Sequence, residues 1–325
     1  MRHFTVMKLI NSAICRRRKW LAIVIMTALA GCGGANTMKK TDVSNKPSFV
    51  DKVKVTTTVN MVGDLVREVG GEYVVVNELM GPGVDPHLYK ASAGDVAKLV
   101  NSDVVFYVGL LLEGKIQDTL EKVESAHAVA EGIDPERLLK PSEFEGHFDP
   151  HIWFDVMLWV ETVDVVVEGL GKADPEHLSD YKMNGEATKA KMRALHQWAL
   201  TKVEELPENK RILITSHDAY NYFARAYDFQ VVGLQGISTV SEVSLADVAK
   251  MVDFIKDKEV KAVFVESSVS PAAIKRISQD SGAKIGGELF SDAMGERGRM
   301  EDGYDLGTYE GMIKHNLNTI VDALK

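Results

Sequence analysis

Beyond about residue 50 the apolar positions follow two periods in turn. Residues 53–59 alternate and are rich in β-branched side chains, which predicts a strand. Residues 61–69 follow a helical period and stop at Gly70-Gly71. Residues 73–79 read as a second strand, 95–100 as a helix with Ser92 as a candidate cap, and 103–108 as a buried strand. The second half repeats the style, with strands at 211–215, 231–234, 261–265 and from 284. Its helices are predicted at 219–226, 245–256, 271–279 and 308–324. Strands alternating with helices imply parallel sheets covered by helices. Between the halves, 174–206 carries Pro175 near its start and Pro207 just past its end. Tyr181, Thr188, Met192, Leu195, Trp198 and Val203 form its apolar stripe. This predicts one long connecting helix of roughly 50 Å at about 1.5 Å per residue, although Gly185 interrupts its middle. The expected fold is α/β: two lobes, 51–173 and 207–325, joined by the helix 174–206.

The first 50 residues follow neither period. Arg16, Arg17, Arg18 and Lys19 precede an apolar run over 20–30 that is too short to span a bilayer, so it reads as a signal-peptide core. It ends in Leu29-Ala30-Gly31-Cys32, which resembles a bacterial lipobox. Residues 1–31 would be removed, Cys32 would carry the lipid, and 32–50 would be a flexible tether. The other cysteine, Cys15, lies in the removed segment, so the mature chain would hold no disulfide and no thiolate metal ligand. Localisation is then outside the cytoplasm, at the outer face of the membrane or in the periplasm.

Charge sharpens this picture. The chain of 325 residues carries 38 Lys/Arg against 47 Asp/Glu, a formal charge of -9. The leader holds six of the basic residues and no acidic one, so the mature part has 32 against 47, or -15. Such a surface repels nucleic acid and attracts cations.

Four residues stand apart in chemistry. His87 lies in Gly81-Pro-Gly-Val-Asp-Pro-His87, and His151 in Phe148-Asp-Pro-His151-Ile-Trp, so Asp-Pro-His occurs in two separate loops. Proline before a ligand restricts the backbone and lowers the entropic cost of ordering a site. His217 follows a predicted strand, and Asp292 lies in Phe290-Ser-Asp292-Ala-Met-Gly after another. Ligands of open α/β sheets bind beyond the carboxyl ends of strands, the position all four occupy. Three imidazoles and a carboxylate suit zinc and admit manganese. His127, His147, His177, His196 and His315 have no comparable context. Gly109-Leu-Leu-Leu-Glu-Gly114-Lys115-Ile116 nearly spells a phosphate-binding loop, but Ile116 replaces the hydroxyl that would hold magnesium, so it reads as an apolar turn.

At these residues the chain resembles the cluster A-I (TroA-like) solute-binding lipoproteins of metal ABC importers. The matching segments include Gly81–His87-Leu-Tyr, Asp149-Pro-His151-Ile-Trp-Phe-Asp155, Thr215-Ser-His217-Asp-Ala-Tyr-Asn-Tyr-Phe223, Gly233-Leu-Gln-Gly-Ile-Ser-Thr239, Phe264-Val-Glu-Ser-Ser268 and Gly286–Gly295. The resemblance implies a metal held between two lobes by His87, His151, His217 and Asp292, with Glu266 as an outer carboxylate or occasional ligand. It also implies a partner, an importer permease with its ATPase, reached from a lipid anchor; a monomer is the default expectation. The function implied is capture of zinc or manganese for import, without catalysis. Manganese-dedicated relatives tend to carry Glu at the third position, whereas this chain has His217. Zinc-dedicated ones often carry a His-rich loop, of which Glu143-Phe-Glu-Gly-His147 is a faint version. Two other readings stand beside this one: a zinc hydrolase with Glu266 as base, although His-Glu-x-x-His is absent, and a surface adhesin lipoprotein.

Overall fold

The first lobe is organised by strand β1 (Val53–Thr57) at the centre of a parallel sheet. The computed structural model describes residues 51–144 and 146–325, which fall within one compact unit, Phe49–Lys325. The expected signal peptide, Cys32 and the tether lie outside the described residues.

Helix α1 (Asn60–Gly70) leads from β1 to β2 (Val74–Glu78); α2 (Ala93–Val100) leads on to β3 (Val104–Tyr107). A short turn of helix, α3 (Gln117–Leu120), precedes β4 (Ala126–Ala128). The strand order is β2-β1-β3-β4, all parallel, so the chain reverses its direction of winding between β1 and β3. Ser92 caps α2 as its sequence suggests, accepting from Asp95 N while the Asp95 carboxylate accepts from Ser92 N, a reciprocal capping box.

The crevice between β1 and β3 is where such sheets bind ligands. Here the loop that mimics a phosphate-binding loop fills it with its own carboxyl group. The buried Glu113 carboxyl group accepts from Thr58 Oγ1 (2.6 Å), Val108 N (2.9 Å) and Gly109 N (3.2 Å). Leu110 and Leu111 take positive φ to close that turn. The resemblance to an anion loop is therefore physical, although the acceptor is the chain's own Glu113 carboxyl group.

Helix α4 (Val156–Ala173) has no counterpart among the elements that periodicity predicts. Asp155 caps it, accepting from Met157 N and Leu158 N. Helix α5 (Leu178–Glu204) turns back along α4 after a 3-10 turn, Pro175–His177. The connecting helix is thus shorter than expected, 27 residues or roughly 40 Å. The Asp174 carboxylate accepts from both His177 Nδ1 and Tyr181 OH, which tightens the entry turn. Gly185 breaks no helix. A Cβ there would lie 2.7 Å from Val167 Cγ2, so glycine is what lets α4 and α5 approach. Helix α5 touches α1 and α4 of the first lobe and α9 (Tyr309–Leu324) of the second.

The second lobe holds two parallel strand pairs. They are β5 (Ile212–His217) with β6 (Gln230–Gln235), and β7 (Ala262–Glu266) with β8 (Lys284–Leu289). β5 and β7 lie side by side. Helix α6 (Asn221–Tyr227) joins β5 to β6, while α7 (Leu245–Asp257) and α8 (Ala272–Ser281) flank β7 in sequence. A small hairpin, β9 (Met300–Glu301) with β10 (Tyr304–Asp305), precedes α9. One apolar core runs without a break from β1 and β3 through Trp153, Phe154 and Trp159 to Tyr220, Phe223, Met312 and Leu317. A smaller cluster, including Ile214, Met251, Ile255 and Ile274, seats α7 and α8 on the second lobe. A core shared by both lobes resists wide hinge motion, because opening would expose it.

Candidate metal centre

His87 lies in the loop after β2 and His151 in the connection after β4. His217 is the last residue of β5, and Asp292 lies beyond β8. Each offers one ligand atom, and the four atoms lie within 4.8 Å of one another. His87 Nε2 is 3.4 Å from His151 Nε2. The carboxylate of Asp292 is 3.3 Å from His151 Nε2 through Oδ1 and 3.3 Å from His217 Nε2 through Oδ2. Metal–ligand bonds of about 2.0–2.1 Å set at tetrahedral angles give ligand edges of roughly 3.3–3.4 Å. The His87–His151 edge has that length, and Asp292 approaches His151 and His217 equally closely, through a different oxygen for each. All four side chains are buried, His87 at 3% exposure and the others at 0%, so the structure is closed over this centre rather than open as a cleft.

The repeated Asp-Pro-His has a clear local meaning. Asp85 Oδ1 accepts from His87 N, and Asp149 Oδ1 accepts from His151 N, both at 2.9 Å. Each aspartate folds the chain back on the residue two positions on, with proline stiffening the turn. The aspartates then diverge. Asp149 Oδ1 also accepts from His151 Nδ1 at 2.8 Å, while Asp85 Oδ2 accepts from Thr239 Oγ1 of the second lobe at 2.6 Å.

Glu266 serves His217 as Asp149 serves His151. Its Oε2 accepts from His217 Nδ1 at 2.5 Å and its Oε1 from His217 N at 2.9 Å. Carboxylates on both Nδ1–H groups fix the tautomer and turn each Nε2 toward the centre. Both Glu266 oxygens face the side of His217 away from that centre, which leaves none for a metal. The pairing also demands an N–H donor at position 217. A carboxylate there would face Glu266 directly, so the surroundings select nitrogen.

Electrostatics match this geometry. Burial pushes His87 down to about 3, against the attraction of Asp292, and keeps it neutral. Burial also opposes charge on His151, but Asp149 and Asp292 outweigh it and raise that imidazole to about 9. His217 is raised well above its ordinary value, burial being overcome by Asp292 and Glu266. Asp292 lies well below the usual carboxylate range because the two imidazoles overcome its burial. His217 Nε2 and Asp292 Oδ1 nonetheless have no hydrogen-bond partner. Orphaned polar atoms are costly in a dry interior, and here two of them face one point.

The remaining histidines among the described residues stay apart. His177 stacks on Tyr73, His127 packs against Phe106, His196 lies beside Tyr227, and His315 pairs with Glu301. His147 is exposed. Asp149 is the functional neighbour that pattern reading passes over. Its signal, the Asp-Pro-His repeat, points to the aspartate as much as to the proline.

The model of the family of zinc-uptake complex component A, periplasmic (ZnuA), matches residues 55–323. The chain belongs to this family. It is 44% identical over 306 residues to the manganese-binding lipoprotein MntA of Bacillus subtilis (strain 168), covering 92% of this chain and 95% of the relative. The zinc-binding protein TroA of Treponema pallidum (strain Nichols) is 40% identical over 317 residues, covering 95% of this chain and 99% of the relative. The iron ABC transporter substrate-binding lipoprotein MtsA of Streptococcus pyogenes serotype M1 is 30% identical over 288 residues, covering 86% and 91%. The solved structure of periplasmic zinc-binding TroA from Treponema pallidum superposes with a TM-score of 0.79 at 41% identity, over 84% of this chain and 99% of that one.

Proposed function

We propose that this chain is an extracytoplasmic solute-binding lipoprotein that captures a divalent transition metal, zinc or manganese, and delivers it to an ABC importer permease driven by its ATPase. The observation that carries this reading is the dry convergence of three imidazole Nε2 atoms and one carboxylate, two of whose atoms lack any other partner. His87, His151, His217 and Asp292 are the ligands. Relatives named for manganese, zinc and iron share the fold, so it tolerates several ions and the donor set decides among them. Three nitrogens favour zinc in affinity, since manganese prefers oxygen donors and stands lower in the ordering of divalent stabilities.

A hydrolase would need a base facing the metal, and Glu266 has both oxygens committed to His217. Capture and release instead need a closed, dehydrated site that can open, which the buried ligand set and its two-lobe origin support.

Metal content and melting of the full chain in detergent test the reading. One metal ion per chain is expected. Zinc at a hundred times its dissociation constant should add about 2.7 kcal/mol of stability, and manganese at the same concentration less. If neither metal binds nor stabilises, the reading fails.

Anchoring rests on Cys32, which we assign as the lipidated first residue of the mature chain, with 32–50 as its tether and a monomer as the working unit. Cys32→Ser should move the chain from the membrane fraction to the soluble fraction and remove its acyl mass. Retention with an unchanged mass would exclude this site.

A further inference from the structure

The four candidate ligands are not equally well held. His217 ends a strand, and His87 and His151 each lie two residues beyond an aspartate that grips their own backbone. Asp292 has neither support. It lies in residues 290–308, the long connection between β8 and α9, whose only regular structure is the hairpin β9–β10. Its own lobe pins the start of this segment, and the segment is also closed on itself. Asn316 bonds both N and O of Phe290, and Gly295 N donates to Leu306 O at 2.9 Å.

Between those pins, the backbone on either side of Asp292 is held from the opposite lobe. Trp153 Nε1 donates to Ser291 O at 3.0 Å. The side-chain amide of Asn60 donates from Nδ2 to Met294 O (3.2 Å) and accepts at Oδ1 from Met294 N (2.9 Å). That is the pattern one peptide unit makes with another, and it uses both ends of the amide. Asn60 is 4% exposed and Met294 1%, so breaking the pair would strand both backbone groups away from water. Asn60 is itself fixed from below. It is the first residue of α1, two positions past Thr58, whose N donates to Phe106 O and whose hydroxyl donates to the buried Glu113. The filled crevice between β1 and β3 thus forms the base on which this amide stands.

We infer that Asn60 is a positioning residue for metal capture: from the first lobe it sets the backbone of the loop carrying Asp292, so that closing the lobes and completing the ligand set are one event. Separation of the lobes would take the Asn60 amide from Met294 and leave Asp292 held only from its own lobe, where Ser268 Oγ lies 3.0 Å from Ser291 Oγ and 3.4 Å from Asp292 Oδ2. The inference rests on Asp292 being a ligand, as proposed above. It predicts that Asn60 affects the metal only through Asp292.

The test is a double-mutant cycle on the full chain in detergent. Zinc affinity is read by competition with a chromophoric chelator, and coordination by the visible spectrum of bound cobalt(II). Asn60→Ala should weaken zinc by about tenfold, the lower end of what losing an outer support costs a metal site. Its cobalt spectrum should shift toward that of Asp292→Ala. In the Asp292→Ala background, Asn60→Ala should cost less than about twofold more, because the coupling partner is gone. Trp153→Phe, which deletes the N–H together with part of the ring, should show the same dependence and carries the test if Asn60→Ala does not fold. Equal costs of Asn60→Ala in both backgrounds, or wild-type affinity in Asn60→Ala, would overturn the positioning role while leaving Asp292 a ligand. Wild-type affinity in Asp292→Ala would instead overturn the ligand assignment itself.

Discussion

His217→Ala should abolish metal-dependent stabilisation while leaving a folded protein. The imidazole is one of the four proposed donors, and loss of an outer support alone costs a metal site about 10–100-fold. Loss of a ligand should cost at least about a hundredfold. Zinc at a hundred times the wild-type dissociation constant then only matches the variant's own constant, and its stabilisation falls from about 2.7 to about 0.4 kcal/mol. In a chain of this size, that takes a metal-induced rise in melting temperature from roughly 4–5 °C to under about 1 °C. The metal-free variant should itself melt lower, because Glu266 keeps only its bond from the backbone N–H at 217. The metal-dependent shift is therefore the decisive number. A wild-type shift in His217→Ala would remove this residue from the site.

Much of this centre can be read in the sequence because its donors sit at strand ends and in turns, where local pattern and position coincide. His217 and Asp292 follow apolar strand segments, and the paired Asp-Pro-His turns mark themselves by repetition. The strands from β1 to β8 are legible for the same reason, apart from β4 (Ala126–Ala128), which is only three residues long. Helix α4 is not legible. Its sequence, VMLWVETVDVVVEGLGKA, is apolar around most of its circumference and carries a β-branched run, because it is packed between the sheet, α1 and α5. Burial on several sides erases the polar stripe by which a surface helix is known. Helix α5 begins at Leu178 and not at the expected 174, because Pro175 opens a 3-10 turn as readily as a helix. Asn60 and Trp153 are invisible for a different reason. Their partners, Met294 and Ser291, are far away in sequence, and each interacts through its backbone, which no side-chain pattern records.

That distinction also explains how the lobes can work together without a wide swing. Several polar contacts that cross between them lie around the candidate metal centre: Asp85 with Thr239, Asn221 and Tyr222 with Asp149, Trp153 with Ser291, and Asn60 with Met294. Others, Asp64 with Arg297 and Tyr309 and Arg225 with Asp155, also join the lobes. Behind this rim the apolar core is continuous and α5 touches both lobes. A small tilt would break the polar rim while leaving the core buried. The site can open at its mouth with little loss of apolar packing.

Metal capture should release about two protons per ion at neutral pH. In the metal-free centre His151 is raised to about 9, burial being outweighed by Asp149 and Asp292, and His217 is raised well above its ordinary value. Both therefore hold a proton on Nε2 at pH 7, with Asp292 as the counter-charge. His87, lowered to about 3 by burial, holds none. An incoming cation needs each Nε2 lone pair and takes the place of those two protons, while the Nδ1 protons stay on Asp149 and Glu266. The sign follows from linkage: when binding releases protons, affinity rises with pH. Two protons correspond to about a hundredfold in affinity per pH unit while both are held, flattening as His151 approaches its own value of about 9. The metal-free fold has the opposite dependence. A histidine raised from 6.5 to about 9 stabilises the fold fully below pH 6.5 and loses that contribution as pH rises through 9. Metal stabilisation should thus grow over the interval in which the empty protein weakens. Zinc calorimetry at pH 7, in buffers of different ionisation enthalpy, counts the protons directly. A count near zero, with affinity flat between pH 7 and 8, would mean that both imidazoles are already neutral in the empty centre, and the ion-pair description of it would have to be abandoned.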